Sequence, residues 1–317
     1  MKILFITASI LVILGIILFV AALASNNWDF AKLNSEKFQS NAYSILEDFQ
    51  GISVNTDTAD VRFVLSGDGV CKVECYEQKK MSHRVSAKNG TLEIALEDTR
   101  KWYDYITFFS FSSPKITVYL PQTQYAALNI KSDTGDVEIP NPFQFDSMDI
   151  DLSTGDVKCY ASAAGLIKIK TSTGDILAES ISADTLDLAV STGKVQAKSI
   201  TCQGNVSIQV STGNATLTDV QCKNLRSDGS TGDLHLQGVV AAERFSIERS
   251  TGDVKLNRCD AAEIEIETDT GSVTGSLLTP KVFLAETDTG RVDVPKSTIG
   301  GRCQIETDTG NILITIP

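Results

Sequence analysis

Histidine occurs only twice in the 317 residues, at His83 and His235, and neither stands near a serine or cysteine in an arrangement that activates a nucleophile. Nucleophilic catalysis therefore has no support in the sequence. Basic side chains are also short: 28 Lys and Arg face 40 Asp and Glu, a net charge of −12, with no basic cluster and no interleaving of basic and aromatic residues. That balance works against nucleic acids and anionic lipid headgroups as partners. Aromatic residues make up only 7% of the chain, yet six of them crowd into ten positions, as described below. With 42% hydrophobic and 21% charged residues the composition is that of a folded protein, and the length allows one large or two modest domains.

The first 25 residues differ from all that follow. Positions 3–24, ILFITASILVILGIILFVAALA, are uncharged and long enough at helical rise to cross roughly 30 Å of hydrocarbon. Two readings fit this export segment: a retained transmembrane signal anchor over residues 1–25, or a signal peptide cleaved after Ala22-Leu23-Ala24, which would release a secreted protein. Lys2 on one flank faces Lys32 and Lys37 on the other, so the signal-like position decides the orientation, with the bulk of the chain extracytoplasmic and the cell membrane as the expected location.

From residue 128 to 317 one phrase, S/D-T-G followed by a polar residue, returns ten times. Its glycines are Gly135, Gly155, Gly174, Gly193, Gly213, Gly232, Gly252, Gly271, Gly290 and Gly310, so the period is 19 or 20 residues throughout. Two residues after each glycine the position is always apolar (Val137, Val157, Ile176 and onward to Ile312), and the position between is mostly polar. Before the turn the same alternation runs through Ile167/Ile169, Leu186/Leu188, Val206/Ile208 and Ile264/Ile266, with Ser227 as the one break in its column. Each unit thus reads strand, turn, strand, corner, with no room for a helix. Such a unit buries a face only by stacking on its neighbour at about 4.8 Å, which predicts an all-β, single-stranded parallel β-solenoid about 50 Å long over ten coils. Glycine suits the turn because it takes positive φ, the Ser or Asp can bond the turn's own amides, and the invariant threonine predicts a stacked ladder.

Residues 26–127 keep strand character but lose the beat. NTDTADV at 55–61 looks like a worn copy with Ala59 in the glycine position, and this stretch is expected to cap the first coil, where bare strand edges would otherwise face solvent. The segment NILITIP at 311–317 shows no cap of its own and is expected to be the exposed edge at the far end.

Several constellations have both a chemical and a plain reading. Asp-Thr-Gly at Asp133, Asp269, Asp288 and Asp308 mimics the aspartic-protease phrase, but Asp exchanges freely with Ser along the column and no apposed pair is implied. Asp136, Asp156 and Asp175 follow the glycine in three consecutive coils, either as solvated turn residues or as a weak Ca²⁺ site relieving their repulsion; no other cofactor is indicated. Of the seven cysteines, Cys159 and Cys303 fall in inward columns. Cys202 and Cys222 share a corner column with Ala164, Ala183, Ala241 and Ala261, so they read as small buried hydrophobes rather than a disulfide framework. Thr-x-Thr pairs at 171–173, 268–270, 287–289 and 307–309 are too few for the flat threonine array of an ice-binding solenoid. The densest anomaly is KWYDYITFFSF at 101–111. Its Trp102, Tyr103, Tyr105, Phe108, Phe109 and Phe111 either plug the open N-terminal end of the solenoid or form an exposed loop that contacts a partner, a glycan or the membrane surface.

The repeated STGDV phrases, the GTLEI strand, and the aromatic stretch leading into ITVYLP and LNIKSDTGDVEIP resemble the bacterial putative-adhesin family of β-solenoid envelope proteins over roughly residues 50–317. The resemblance implies a cell-envelope binding module, linked in some members to envelope-stress genes, and carries over no catalytic or ligand-binding residues. The expectation is a non-enzymatic, membrane-anchored extracytoplasmic adhesin-like module whose ligand is an envelope component, a glycan or a protein. The alternative is a bactofilin-like scaffold that polymerises end to end as a homo-oligomer. A polysaccharide lyase would need carboxylate and basic residues clustered on one outward face, and the outward columns show no such cluster.

Overall fold

The computed structural model of the chain describes residues 2–25, 38–101 and 113–316. Helix α1 (Lys2–Ser25) contains one stretch, Ile6–Ser25, long and apolar enough to cross a membrane, a test that a signal sequence also passes. Everything else described is strand and turn, in a parallel β-solenoid of about ten glycine-marked turns with extra strands at the N-terminal end.

Coil-to-coil register is what the period predicts. Met148, Ile167, Leu186 and Val206 pair in sequence, as do Val157, Ile176, Val195 and Ala215 on the strand after the turn. These side chains are fully buried and form one continuous core down the axis of the stack. The threonine ladder runs unbroken from Thr134 through Thr154, Thr173, Thr192, Thr212, Thr231, Thr251 and Thr270. The corner column contains Ala163 where the repeat suggested Ala164: Phe145 pairs with Ala163, and Ala183 with Cys202, because that corner is one residue out of step. All seven cysteines are buried and free.

Glycine is demanded by contact as well as by conformation. At Gly193 φ is +145°, and a Cβ there would stand 2.0 Å from the carbonyl oxygen of Gly174 one coil below. The same clash recurs up the stack, so the turns approach closely enough for only a hydrogen to fit. The first threonine of the Thr-x-Thr pairs points inward: Thr171 donates to the Gly155 carbonyl at 3.2 Å and Thr307 to the Gly271 carbonyl at 3.0 Å. No surface threonine array forms from them. Ser227 breaks its column because Arg249, buried in the next coil, donates from Nη2 to its hydroxyl at 2.7 Å. Gly229 leaves room for the guanidinium, since a Cβ there would lie 1.7 Å from Nη1.

The two ends of the stack are built differently. At the N-terminal end the strands are β1 (Phe38–Ile45), β2 (Gly51–Thr56), β3 (Asp60–Leu65), β4 (Cys71–Gln78), β5 (Met81–Lys88), β6 (Thr91–Asp98), β7 (Lys115–Leu120), β8 (Gln124–Thr134) and β9 (Val137–Ile139). β2 lies between β6 and β8, and β3 between β7 and β9, all parallel, so the worn 55–61 copy is a true rung and the 91–120 strands lie outside it. Antiparallel β4 and β1 extend the β7 side, and antiparallel β5 extends the β6 side. Their inward residues cover the end, leaving Leu92, Ile94, Ile116 and Val118 fully buried.

At the other end the chain also stacks out of order. The strand Gly301–Thr309 pairs with Ile264–Thr270 on one side and Lys281–Thr289 on the other, and Ile312–Thr315 lies between Val273–Leu277 and Val292–Asp293. NILITIP is therefore an internal rung, contrary to the expectation that it forms the exposed edge, and the outermost coil is 281–293. The reason is topological: after residue 293 the chain turns back and inserts its last rung beneath the preceding one, mirroring the insertion of β2 and β3 at the opposite end.

Candidate functional site

The N-terminal rungs carry a cleft of about 320 Å³ built from two outward columns. One column is Arg62, Glu138 and Lys158, in register across β3, β9 and the next coil, with Thr117 of β7 beside Arg62. Arg62 Nε lies 3.4 Å from a Glu138 carboxylate oxygen. The other column is Asp60, Asp136 and Asp156, with Lys115 paired to Asp60. These side chains face outward because the alternation sends Val61, Val137 and Val157 into the core.

The aspartate column has a structural function in the stack. Asp60 Oδ1 accepts from the Asp136 amide (3.1 Å), Asp136 Oδ1 from the Asp156 amide (2.9 Å), Asp156 Oδ1 from the Asp175 amide (2.8 Å), and Asp175 Oδ1 from the Lys194 amide (2.8 Å). Asn214 and Asn311 do the same where Asp is replaced. Each such bond fastens one turn to the next, and it leaves the second carboxylate oxygen outside the ladder. Among the described residues, Asp136, Asp156 and Asp175 do not gather as a set of three ligand atoms within 4.8 Å of one another; Cys75, Glu77 and His83 do.

That second group belongs to the cap and had no signal in the sequence. Glu77, at an inward position of β4, accepts from Asn41 Nδ2 at 2.6 Å, from the His83 amide at 2.7 Å, and lies 2.8 Å from His83 Nδ1. His83 Nε2 is 2.9 Å from Thr56 Oγ1, and Tyr43 donates to the His83 carbonyl at 3.1 Å. Hydroxyl, imidazole and carboxylate thus stand in the order a nucleophilic triad would use. All three are nearly or fully buried, and the polar atoms of Glu77 and the His83 ring are already paired, so the network ties β1, β2, β4 and β5 together as a brace. Burial pushes the neighbouring Cys75 thiol up to about 12, with Glu77 adding to the shift, so it stays protonated.

The predicted aromatic residues Trp102, Tyr103, Tyr105, Phe108, Phe109 and Phe111 lie outside the described residues. Both roots of their segment are placed, and both meet the turn at the cleft rim. Before it, Arg100 pairs with Asp98 and lies 4.0 Å from Asp57; after it, the Pro114 carbonyl accepts from the Asp60 amide at 3.0 Å, and Lys115 lines the cleft. The residues that flank the aromatic stretch on both sides therefore lie close to the turn that begins the aspartate column, at one end of the solenoid.

These features define a single-chain parallel β-solenoid, closed at its N-terminal end by an antiparallel cap and decorated with a mixed-charge cleft. The Toastrack DUF4097 family matches residues 49–209 and 203–317, and the chain belongs to that family. No curated protein matches the sequence. Among solved structures, a putative lipid binding protein from Parabacteroides distasonis ATCC 8503 shares 15% identity over 76% of this chain and 95% of its own, with a TM-score of 0.50. A putative adhesin from Bacteroides fragilis NCTC 9343 shares 17% identity over 89% of this chain and 98% of its own, with a TM-score of 0.42. A second putative adhesin, also from Parabacteroides distasonis, shares 14% over 89% and 98%, with a TM-score of 0.48. At these identities the likeness is one of fold.

Proposed function

We propose that this protein is a membrane-tethered extracytoplasmic binding module that engages a glycan-bearing envelope or surface ligand at the N-terminal cleft. The observation that carries the reading is the position of the cleft: four carboxylates and three cations line it, Lys115 at the C-terminal root of the segment holding six aromatic residues is among them, and the other root lies against Asp57 in the adjoining turn. Aromatic faces that stack on sugar rings, with carboxylate and cationic groups that bond hydroxyls, form the usual chemistry of a carbohydrate subsite. The apolar helix supplies the tether, and the adhesin and binding names of the similar structures agree with a non-enzymatic role. The acidic surface keeps the module off anionic headgroups, which suits a solenoid displayed away from the bilayer.

The test is binding of the full chain in nanodiscs to an array of peptidoglycan fragments and cell-surface glycans. Retained glycan that is lost on Arg62→Ala with Lys158→Ala, two exposed cleft residues, supports the reading. Binding that survives those changes, or no binding across the array, removes it. Protease shaving of intact cells carrying a tag on an exposed solenoid corner tests placement separately, since protection of the tag until lysis puts the module on the cytoplasmic side.

A further inference from the structure

The outermost coil at the C-terminal end leaves the solenoid core open. In the column two residues past each turn glycine, Val137, Val157, Ile176, Val195, Val254, Val273 and Ile312 are at most 1% exposed, whereas Val292 is 41% exposed. Phe283 and Ala285, which continue the buried Ile264–Cys303 and Ile266–Ile305 columns, are only half-buried. Leu284 on the outward face is 53% exposed, and Ile299 at the next corner 69%. The strand Lys281–Thr289 pairs along one edge, with Gly301–Thr309, and among the described residues its other edge has no partner. An open apolar core end beside an unpaired strand edge is a surface that soluble proteins cover.

We infer that a second copy of this chain covers it, edge to edge across a twofold axis, closing a tail-to-tail dimer. Three observations select that occupant. First, the outermost coil, residues 281–293, carries three acidic and two basic side chains, one of them Lys281 already paired with Asp260, a small net charge in a chain at −12, so two copies meet there with less repulsion than the rest of the surface would impose. Second, an open core end pairs best with another open core end, and among the described residues the opposite end of the stack has none: Leu92, Ile94, Ile116 and Val118 lie sealed beneath the cap, and the outward row of edge strand β1 is Ser40, Ala42 and Ser44. A tail-to-tail contact therefore matches like with like where a head-to-tail contact would not. Third, an isologous contact between identical edges is self-complementary and closes at two. Antiparallel pairing of the two Lys281–Thr289 edges satisfies their free backbone groups and buries Leu284 and Phe283 of both copies. The inference is independent of the ligand reading at the cleft, which lies at the other end. It replaces the end-to-end polymer with a closed dimer whose caps sit at its two extremities.

The test is density-matched sedimentation of the full chain in detergent at tens of micromolar, with Leu284→Lys and a crosslinking pair beside the wild type. Because all seven native cysteines are buried, Leu284→Cys introduces an accessible thiol at the edge, and Lys170→Cys introduces one at mid-stack as the control. The expected result is a dimer that Leu284→Lys weakens by on the order of tenfold or more, with a short bismaleimide linking Leu284→Cys but not Lys170→Cys. A wild-type monomer, a species larger than a dimer, a dimer indifferent to Leu284→Lys, or equal crosslinking of the two cysteine variants would each overturn it. The tenfold weakening is read only from a Leu284→Lys variant that keeps the wild-type far-ultraviolet spectrum, and the crosslinking comparison stands whether or not it does.

Discussion

Replacing Gly193 by alanine isolates the contact that sets the spacing of the stack. The added methyl would stand 2.0 Å from the Gly174 carbonyl oxygen, 2.8 Å from its carbon and 3.1 Å from Asp175 Oδ1, at a φ of +145°. Two costs combine. The backbone conformation is one that side chains resist, at about 1–3 kcal/mol, and relieving an overlap of roughly 1 Å against rigid backbone adds an overpacking cost of about 1–3 kcal/mol. The sum, about 2–6 kcal/mol, is a large share of the 5–15 kcal/mol typical of a domain. Gly67→Ala is the control, because a methyl there meets nothing within 4 Å and the residue lacks a left-handed φ; it should change stability by no more than about 0.5 kcal/mol. Urea unfolding followed by far-ultraviolet circular dichroism reads both. Equal midpoints for Gly193→Ala and Gly67→Ala would refute the argument that the turn column is fixed by close approach of successive backbones.

Three further outcomes are expected. Burial raises the Cys75 and Cys303 thiols from an ordinary value near 9 to about 12, so iodoacetamide at pH 8 should label none of the seven cysteines in the folded protein and all of them in urea. Because the unfolded chain ionises first, the stability these thiols contribute is complete below about pH 9 and is lost as the pH rises towards 12, which a set of denaturation midpoints across that range will show. Glu77→Ala strands His83 and Asn41 inside the cap and should cost about 1–3 kcal/mol for each buried group left without its partner, whereas Glu74→Ala, which removes a half-exposed partner of Lys72, should cost less than about 1 kcal/mol in the same unfolding assay. Arg249 is buried with its Nε and Nη1 unpartnered, and desolvation lowers its pKa, so Arg249→Met should leave stability unchanged or raise it by about 1–3 kcal/mol; a loss of that size would show that the guanidinium is satisfied.

The middle of the molecule was legible because each coil repeats the same local instruction. Alternation assigns every side chain to one face, and the glycine period fixes which residues of successive coils lie side by side. The same logic gave the threonine ladder and the burial of Cys159 and Cys303, and it missed by one residue only at the Ala163 corner. Where pairing is decided by something other than the repeat, the sequence is silent. The rungs at 281–293 and 301–315 carry the same Asp-Thr-Gly phrase, so nothing local says which of them lies outermost. The difference shows only in burial, through Val292 on one and Ile312 on the other. The aspartate column reads as solvated turn residues or a weak cation site, and spacing alone cannot reveal that each Oδ1 also holds an amide of the next coil. His83 gave no signal because it and Glu77 sit on antiparallel cap strands outside the period, which fold back to meet Thr56 of the worn rung. Arg249 reads as an ordinary surface residue until Ser227 and Gly229, a coil earlier, are seen to make room for it.

The order of the last two rungs is the claim on which the open end and the dimer both depend. Hydrogen exchange of the full chain, resolved to peptides and carried out on the Leu284→Lys variant so that association does not mask the edge, tests it directly. Amides of 301–309, paired on both sides, should be protected far more strongly than those of 281–289, paired on one. Equal protection, or slower exchange over 281–289 than over 301–309, would mean that the coils stack in chain order and that the outermost edge belongs to the final rung instead.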